Sequence, residues 1–583
     1  MNTTSSQSED VLVADTEKSS NDDIVAEAPL EIAHKQFDDL CAQYYHSWFR
    51  YHPEDAVDVG VNDYADQLKS YEHDDIGALI ALNQMMQSAL DELNLSELDE
   101  ARQLDYRIIK GAISIELHDL EENDWRYRNP LEYVPVNAIY QLLIHPGKNI
   151  HQSIKHRLEI IPAYLRGAKV MLSRYPERVV PEWASTARDI AASGSGFIRD
   201  LAHHPMINAK FASPTRLQPL FDATAVALND FASYLETEVI PSAQGKFASG
   251  HYRFNRLLNE KHFLATDAQK ILRYGERLAA DTEKQLLKQS RQICGEENIS
   301  KALAKVSAEH PDATQLLDTY RKKMQASHEW LLKADIVTMP DKQSLKVQPT
   351  PVFMREIIPF AAYEPPMPLD EEQRGLYYVT TVDDETLLAE HNHYSIDLTS
   401  VHEAFPGHHL QFVVANQNNA DNVTRQLNAS ASMYEGWALY CEQLVFEQGL
   451  YDKKEHEFIL LRDRLWRALR IIIDVKIHTG QFSFDEAVAL LVDKLGFDLS
   501  QAQSEVTWYS NAAATPLCYA IGRELILKTR ETLQTNTTPV DKEKLKEFHD
   551  KLLSLGSIAL PLIIQTVFGE SVWQSVHDEV FGG

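Results

Sequence analysis

The chain has 583 residues, and its 86 acidic against 56 basic side chains give a net charge of −30. This excess of negative charge disfavours nucleic acid and anionic membranes as partners. No apolar run reaches the ~20 residues of a membrane-spanning helix, and the four cysteines lie too far apart for a zinc-ribbon or redox motif.

Residues 1–29 are rich in Ser, Asp, Glu, Thr and Asn. They contain neither the basic region nor the apolar region of a signal peptide. We therefore expect a disordered acidic, Ser-rich segment and, for the chain as written, a cytoplasmic location. If a leader had been removed, the protein would instead be exported or lipid-anchored.

From Leu30 onward, apolar residues recur at every third or fourth position, as in amphipathic helices. This pattern predicts a mainly α-helical fold and one large domain over residues 30–583. Within it, residues 30–343 form a helical N-terminal part and residues 344–583 contain the candidate site. The predicted helices of the first part are 30–52, 76–95, 98–120, 154–175, 182–203, 217–239, 267–294 and 299–332.

Residues 344–381 interrupt the helical pattern with six prolines, which exclude a long helix there. Three stretches, 345–347, 352–354 and 376–381, are rich in β-branched and aromatic residues and predict a few short strands. Helices resume at Thr386 and continue to Leu553.

The stretch Val401–Leu410 contains three histidines and one carboxylate, His402, Glu403, His408 and His409. A neutral imidazole is the commonest side-chain ligand of a metal ion, and zinc accepts it readily. A carboxylate next to a ligand can act as general base toward a metal-activated water. In a His-Glu-x-x-His helix, both histidines share one face because they are four residues apart.

This chain departs from that spacing, because proline occupies position 406. In a straight helix, the six residues from His402 to His408 correspond to about 9 Å of rise and about 240° of rotation. Pro406 has no N–H for the carbonyl of His402, and Gly407 tolerates unusual backbone angles. We therefore expect a bulge that returns His408 toward His402.

A second helix is predicted over residues 434–442, where Glu435 follows His408 by 27 positions. Two histidines, a carboxylate from a second helix and one open position make a catalytic zinc site. The alternative is a helix break at Pro406 and Gly407 with incidental histidines nearby.

The run His-Glu-Ala-Phe-Pro-Gly-His-His-Leu-Gln, followed by Glu-Gly-Trp-Ala-Leu-Tyr, resembles the bacterial family called domain of unknown function 885 (DUF885). That family is grouped with the zincin-like metallopeptidases. The resemblance implies a large helical fold with a deep central cleft, short strands near the metal helix, and members that are often exported or lipid-anchored. It also implies zinc bound by His402, His408 and Glu435, with Glu403 as general base and His409 as the alternative second ligand.

Two further segments extend the resemblance. Tyr519 and Gly522 match a family motif, although residues 513–516 replace its Pro-Gly-Gln-Ala. Tyr519, and after it Tyr509, could donate to the developing oxyanion; otherwise each is a core tyrosine.

Arg470, Asp474 and His478 match a family pattern and share one helix face, which could equally be an exposed ion-pair face. Asp474 could hold a ligand imidazole, and His478 could donate to the substrate or the oxyanion. Arg523, together with Lys476, could receive a peptide carboxylate.

The sequence thus predicts zinc-dependent hydrolysis of peptide bonds in short peptides. Carboxypeptidase, dipeptidase and endo-oligopeptidase action all remain open. The alternatives are a zinc-dependent amidase on small acylated amides and a non-catalytic protein that binds metal or peptide through a degenerate motif.

Overall fold

The structure, a computed structural model, describes residues 21–582 apart from a few short segments: 205–206, 208–216, 356–357, 359, 383 and 534–540. Helix α1 begins at Asn21, inside the segment that the sequence predicts to be disordered. Residues 1–20 lie outside the described part of the chain.

The fold is mainly α-helical, as the sequence predicts. Pro53 begins α2 rather than only ending the helix before it, because the first helical position needs no N–H donor. The helices before the sheet are α1 Asn21–Trp48, α2 Pro53–Asp58, α3 His73–Asp91, α4 Glu100–Glu122, α5 Val136–Ile144, α6 Ile150–Leu172, α7 Pro181–Leu201, α8 Gln218–Tyr234, α9 Gly250–Arg256, α10 Ala268–Cys294, α11 Ile299–Ser307 and α12 Leu316–Ala334.

Three short strands form one sheet between the two helical parts: β1 Ser344–Pro349, β2 Ala361–Glu364 and β3 Arg374–Val379. Strand β3 is central, parallel to β1 and antiparallel to β2, and Tyr377 pairs with both Val347 and Tyr363. The strand predicted at 352–354 is wrong: it is a 3₁₀ turn, in which Met354 N–H donates to the carbonyl of Pro351.

The helices after the sheet contain the candidate site. They are α13 Glu385–Leu388, α14 His393–Glu403, α15 His408–Asn419, α16 Val423–Leu427, α17 Ala431–Glu447, α18 Lys454–His478, α19 Phe484–Leu495, α20 Leu499–Asn511, α21 Cys518–Thr532, α22 Lys542–Leu553, α23 Leu560–Ile563 and α24 Glu570–Phe581. Within the described residues, no helix is both long and apolar enough to cross a membrane.

The largest apolar core surrounds the helices of the candidate site. It includes Val401 of α14, Trp437 of α17 and Ile473 of α18. Leu104 and Ile108 of α4 belong to the same core, so N-terminal helices also support the site. Helices α5 to α8 build a second core around Leu158. The single-domain expectation for residues 30–583 stays a prediction.

Candidate metal centre

The predicted bulge is a complete break, since α14 ends at Glu403 and α15 begins at His408. The Gly407 N–H reaches back to the carbonyl of Val401, 3.0 Å away. A Cβ on residue 407 would collide with the carbonyl oxygen of His402, so only glycine fits this turn. The turn brings the rings of His402 and His408 to a centroid distance of 4.7 Å, nearly perpendicular to each other.

Glu435 of α17 faces both imidazoles with one carboxylate oxygen. Its Oε2 lies 3.4 Å from Nε2 of His402 and 3.4 Å from Nε2 of His408. Four tetrahedral ligands at about 2.1 Å from a zinc ion lie about 3.4 Å from one another. The two separations therefore equal the spacing of ligands around one ion.

Glu442, two helical turns after Glu435, fixes the other side of His402. The Nδ1–H of His402 donates to Oε1 of Glu442 at 2.7 Å, which leaves Nε2 facing the site. Burial alone would lower the pKa of His402, but the carboxylates of Glu435 and Glu442 raise that pKa to about 10. The sequence interpretation missed Glu442, although its distance of seven residues from Glu435 places both on one helix face.

The cluster contains polar atoms that the described residues leave without hydrogen bonds. Oε2 of Glu435 and Nδ1 of His408 are buried and make none. Burial would raise the pKa of Glu435, but the facing His408 and His402 hold it well below its ordinary value. His402, Glu403 and His408 also bring one nitrogen or oxygen each within 4.8 Å of one another. These residues fit a metal ion.

Glu403 and His402 line a cavity of about 790 Å³ that extends between α14, α18 and α20. Burial raises the pKa of the Glu403 carboxyl above its ordinary value. Glu403 thus belongs to the histidine cluster and also borders the cavity.

His409, the alternative ligand, is fully buried and uses both ring nitrogens elsewhere. Its Nδ1 accepts from the Tyr363 hydroxyl at 3.0 Å, and its Nε2–H donates to Gln343 Oε1 at 2.9 Å. Burial lowers the pKa of His409 to about 3. The geometry favours His408 over His409.

The two candidate tyrosines have different surroundings. Tyr519 lines the cavity beside His402, and burial and the facing carboxylate of Glu435 raise its pKa well above the ordinary value. Tyr509 is fully buried, where its hydroxyl donates to Glu505 at 2.6 Å and accepts from Arg470 at 3.0 Å. The hydroxyl of Tyr509 therefore makes its hydrogen bonds within the protein. Of the two tyrosines, only Tyr519 faces Glu435 of the cluster.

Glu442, and not Asp474, is the carboxylate that holds the imidazole of His402. Asp474 is fully buried and accepts from the backbone N–H groups of Ala514 and Leu517, at 3.1 and 3.2 Å. It fixes the loop that leads into α21 and Tyr519. Its role at the site is therefore indirect.

His478 does not reach the cavity of His402 and Glu403. Its Nε2–H donates to the carbonyl of Tyr509 at 3.0 Å, and burial lowers its pKa to about 4. It lines a separate cavity of about 550 Å³ next to the N-terminal helices. Helix α18 turns this side chain toward Phe254 of α9, away from the cavity in which the sequence suggests that it could donate to the substrate or the oxyanion.

Arg470 and Arg523 lie on different sides of the site helices. Arg470 lines the 790 Å³ cavity and forms an ion pair with Glu505 at 3.0 Å. Arg523 lines a different cavity, of about 260 Å³, and lies 3.5 Å from Glu524. Lys476 pairs with Glu276 at 3.4 Å. Of the three, only Arg470 shares a cavity with Glu403.

Residues 53–567 match the family described as a bacterial protein of unknown function, DUF885. The chain belongs to the DUF885 family. A search of curated proteins finds no match.

Two solved structures share the fold of this DUF885 chain. One is a "putative lipoprotein of unknown function" from Shewanella oneidensis, with a TM-score of 0.73 and 21% identity over 91% of this chain and 99% of that one. The other is a "putative lipoprotein" from Colwellia psychrerythraea, with a TM-score of 0.72 and 16% identity over 94% of this chain and 100% of that one. A metallocarboxypeptidase of Trypanosoma cruzi aligns at a TM-score of 0.32, which is too low to indicate a shared fold. The compartment of the present chain stays a prediction.

In the DUF885 chain, the two motif segments recognised in the sequence touch each other. The indole Nε1–H of Trp437 donates to the carbonyl of Pro406 at 2.8 Å. This bond ties the turn between α14 and α15 to α17, two residues from Glu435. The motif residues thus include groups that position the cluster as well as its candidate ligands.

Proposed function

We propose that the protein is a zinc-dependent peptidase of the zincin-like type that acts on short peptides. The observation that carries this proposal is the convergence of His402, His408 and Glu435, with both imidazole nitrogens 3.4 Å from one carboxylate oxygen. Two histidines and one carboxylate with an open fourth position are typical of a catalytic zinc site.

His402 and His408 would hold the ion through Nε2, and Glu435 through Oε2. Zn²⁺ bound there would act as a Lewis acid toward a water molecule and the scissile carbonyl. The bond from Nδ1 of His402 to Glu442 keeps Nε2 as the coordinating nitrogen. The buried Oε2 of Glu435, which lacks a hydrogen bond among the described residues, supports its place in this ligand set.

Glu403 is the proposed general base. It would take a proton from the water as the water oxygen attacks the peptide carbonyl carbon, and would return the proton to the leaving amine nitrogen. The raised pKa of Glu403 suits both steps, since the group must accept and release one proton. Tyr519 is the proposed donor to the developing oxyanion, because it lines the same cavity as Glu403 and its hydroxyl interacts with Glu435.

The cavity supports short peptides as the substrates. Its volume of about 790 Å³ is within the ~300–1,000 Å³ typical of small-ligand sites, and it is too small for a folded protein. Ala361 and Ala362 of the edge strand β2 line it. Among the described residues, no strand pairs with the outer edge of β2, whose backbone N–H and C=O groups could hold an extended peptide.

The test is hydrolysis of a library of two- to eight-residue peptides by zinc-loaded protein, read by mass spectrometry, with Glu403→Gln as the matched variant. The proposal expects cleavage by the wild type and a loss of about 10²–10⁴ in rate for the variant, with bound zinc retained. Zinc-loaded wild type that cleaves no peptide would contradict it. Turnover of small acylated amides alone would favour the amidase alternative, and bound zinc without turnover of either would favour a binding protein.

A further inference from the structure

Three arginines of α18, Arg462, Arg467 and Arg470, line the cavity that contains His402 and Glu403. Five of their buried nitrogen atoms make no hydrogen bond with the described residues. These atoms are Nε and Nη2 of Arg462, Nε and Nη1 of Arg467, and Nη1 of Arg470. A buried donor without an acceptor costs about 1–3 kcal/mol, and more if it is charged. So many unsatisfied donors in three neighbouring side chains indicate a missing acceptor.

Neighbouring carboxylates do not supply that acceptor. Arg462 is 3.7 Å from Glu390 and 4.0 Å from Asp463, and Arg467 is 3.9 Å from Asp463. A hydrogen bond between N–H and O needs about 2.7–3.2 Å. Arg470 is better satisfied than the other two arginines. Its Nε donates to the Tyr509 hydroxyl and its Nη2 to Glu505, each at 3.0 Å.

Aromatic rings hold the guanidinium groups in place. Arg467 stacks on Trp466 with its Cζ 4.0 Å from the ring centroid, and Arg462 lies 5.4 Å from the centroid of Phe497. The side chain of Arg462 is only 7% exposed. An anion that enters the cavity therefore meets donors whose positions are already fixed, and binding costs little side-chain entropy.

We propose that Arg462 and Arg467, assisted by Arg470, bind a carboxylate group of the substrate, so that the enzyme selects peptides with a free carboxylate in this part of the cavity. The planar guanidinium fork matches a carboxylate in two parallel bonds. Glu182 and Asp189 of α7 line the same cavity and repel a carboxylate placed near them. This inference rests on the proposed peptidase function for the identity of the substrate.

The carboxylate has two possible sources, the C-terminus of the peptide and an aspartate or glutamate side chain. Three N-acetylated probes distinguish them: tetra-alanine with a free C-terminus, its C-terminal amide, and the amide with aspartate at the third position. Calorimetric binding to zinc-loaded Glu403→Gln protein avoids hydrolysis during the measurement.

We expect at least one carboxylate probe to bind about tenfold or more tightly than the neutral amide. Arg462→Gln and Arg467→Gln, each in the Glu403→Gln protein, should bring this ratio close to one. Arg464→Gln is the matched control, because Arg464 lies on the same helix but does not line the 790 Å³ cavity, whereas Arg467 lines both that cavity and the 260 Å³ one. Urea unfolding of each variant confirms that the fold is retained.

If the free acid binds more tightly than the amide, the arginines recognise the C-terminal carboxylate. If the aspartyl amide binds more tightly, they recognise a side-chain carboxylate. Equal binding of the three probes, no binding of any, or a ratio unchanged in both arginine variants would overturn the inference. Because binding needs no turnover, the outcome is separate from that of the peptidase proposal. A protein that binds carboxylate probes but cleaves nothing retains this inference and loses the other.

Discussion

Gly436 of α17 and Gly522 of α21 touch at their backbones: a Cβ on Gly436 would lie 2.6 Å from Cα of Gly522. This contact sets the distance between the helices that contain Glu435 and Tyr519. A larger residue at either position would push the candidate ligand away from the candidate donor.

Gly522→Ala should therefore disturb both stability and the site. Its new Cβ would collide with the carbonyl oxygen of Ser432. We expect a loss of about 1–3 kcal/mol in the free energy of unfolding, from overpacking, and weaker zinc retention. Urea denaturation and zinc content measure the two effects. Gly196→Ala is the control, because no described residue lies within 4 Å of a Cβ there; it should stabilise α7 by about 0.5–1 kcal/mol.

Glu442→Ala should weaken zinc binding without removing a ligand. The variant frees Nδ1 of His402, so the imidazole can rotate and change tautomer. Loss of such a partner typically costs 10–100-fold in metal affinity, roughly the effect expected here. Competition with a zinc chelator measures it. Glu442→Gln keeps an acceptor oxygen and should lose less; equal affinities of wild type and Glu442→Ala would contradict this role.

Much of the site could be predicted from local sequence. Residue type and spacing indicate a histidine and carboxylate cluster, the family resemblance implies His402, His408 and Glu435 within it, and Pro406 and Gly407 indicate where the helix ends. Glu442 could have been found from its helical spacing to Glu435. These relations are local or depend on one helix face, which the sequence encodes directly.

Tyr519→Phe should lower kcat while zinc binding and stability change little, because the hydroxyl faces the cavity. Removal of one oxyanion donor costs about 10²–10³ in kcat at comparable sites. Tyr509→Phe is the contrasting variant. It removes an acceptor from Arg470 and a donor to Glu505, so it should lower the unfolding midpoint more than it lowers kcat. A larger loss of kcat in Tyr509→Phe would reverse the assignment.

Asp474, His478 and Arg523 could not be assigned from the sequence, for one physical reason. Spacing gives the face of a helix, but not the element that packs against it. Asp474 meets the loop 512–517, and His478 meets the backbone of Tyr509, because of contacts between distant segments. Strand β2 was missed because it has only four residues, Ala361–Glu364, and two of them are alanines, which favour strands weakly.

His549 should make stability depend on pH. Its Nε2 accepts from the Tyr440 hydroxyl at 2.7 Å, and its Nδ1–H donates to the carbonyl of Ile336 at 2.6 Å. Burial lowers the pKa of His549 from 6.5 to about 3. Because the pKa of His549 is lower in the folded protein, the neutral imidazole contributes fully to the free energy of unfolding above pH 6.5. That contribution is lost as the pH falls toward 3. The loss is at most about 1.4 kcal/mol per pH unit.

Thermal unfolding between pH 7.5 and 4.5 checks this dependence. The His549→Gln variant has no imidazole to protonate, so its unfolding midpoint should fall less steeply over this range than that of the wild type. Parallel curves for the two proteins would exclude His549 as the source.

The zinc content of purified, zinc-replete protein tests the central claim most directly. Wild type, His408→Gln and His409→Gln would be compared by plasma mass spectrometry, since both neighbouring histidines are buried but only His408 faces Glu435. We expect one zinc per wild-type chain, loss of zinc in His408→Gln and retention in His409→Gln. Zinc retained in His408→Gln and lost in His409→Gln, or absent from the wild type, would contradict it.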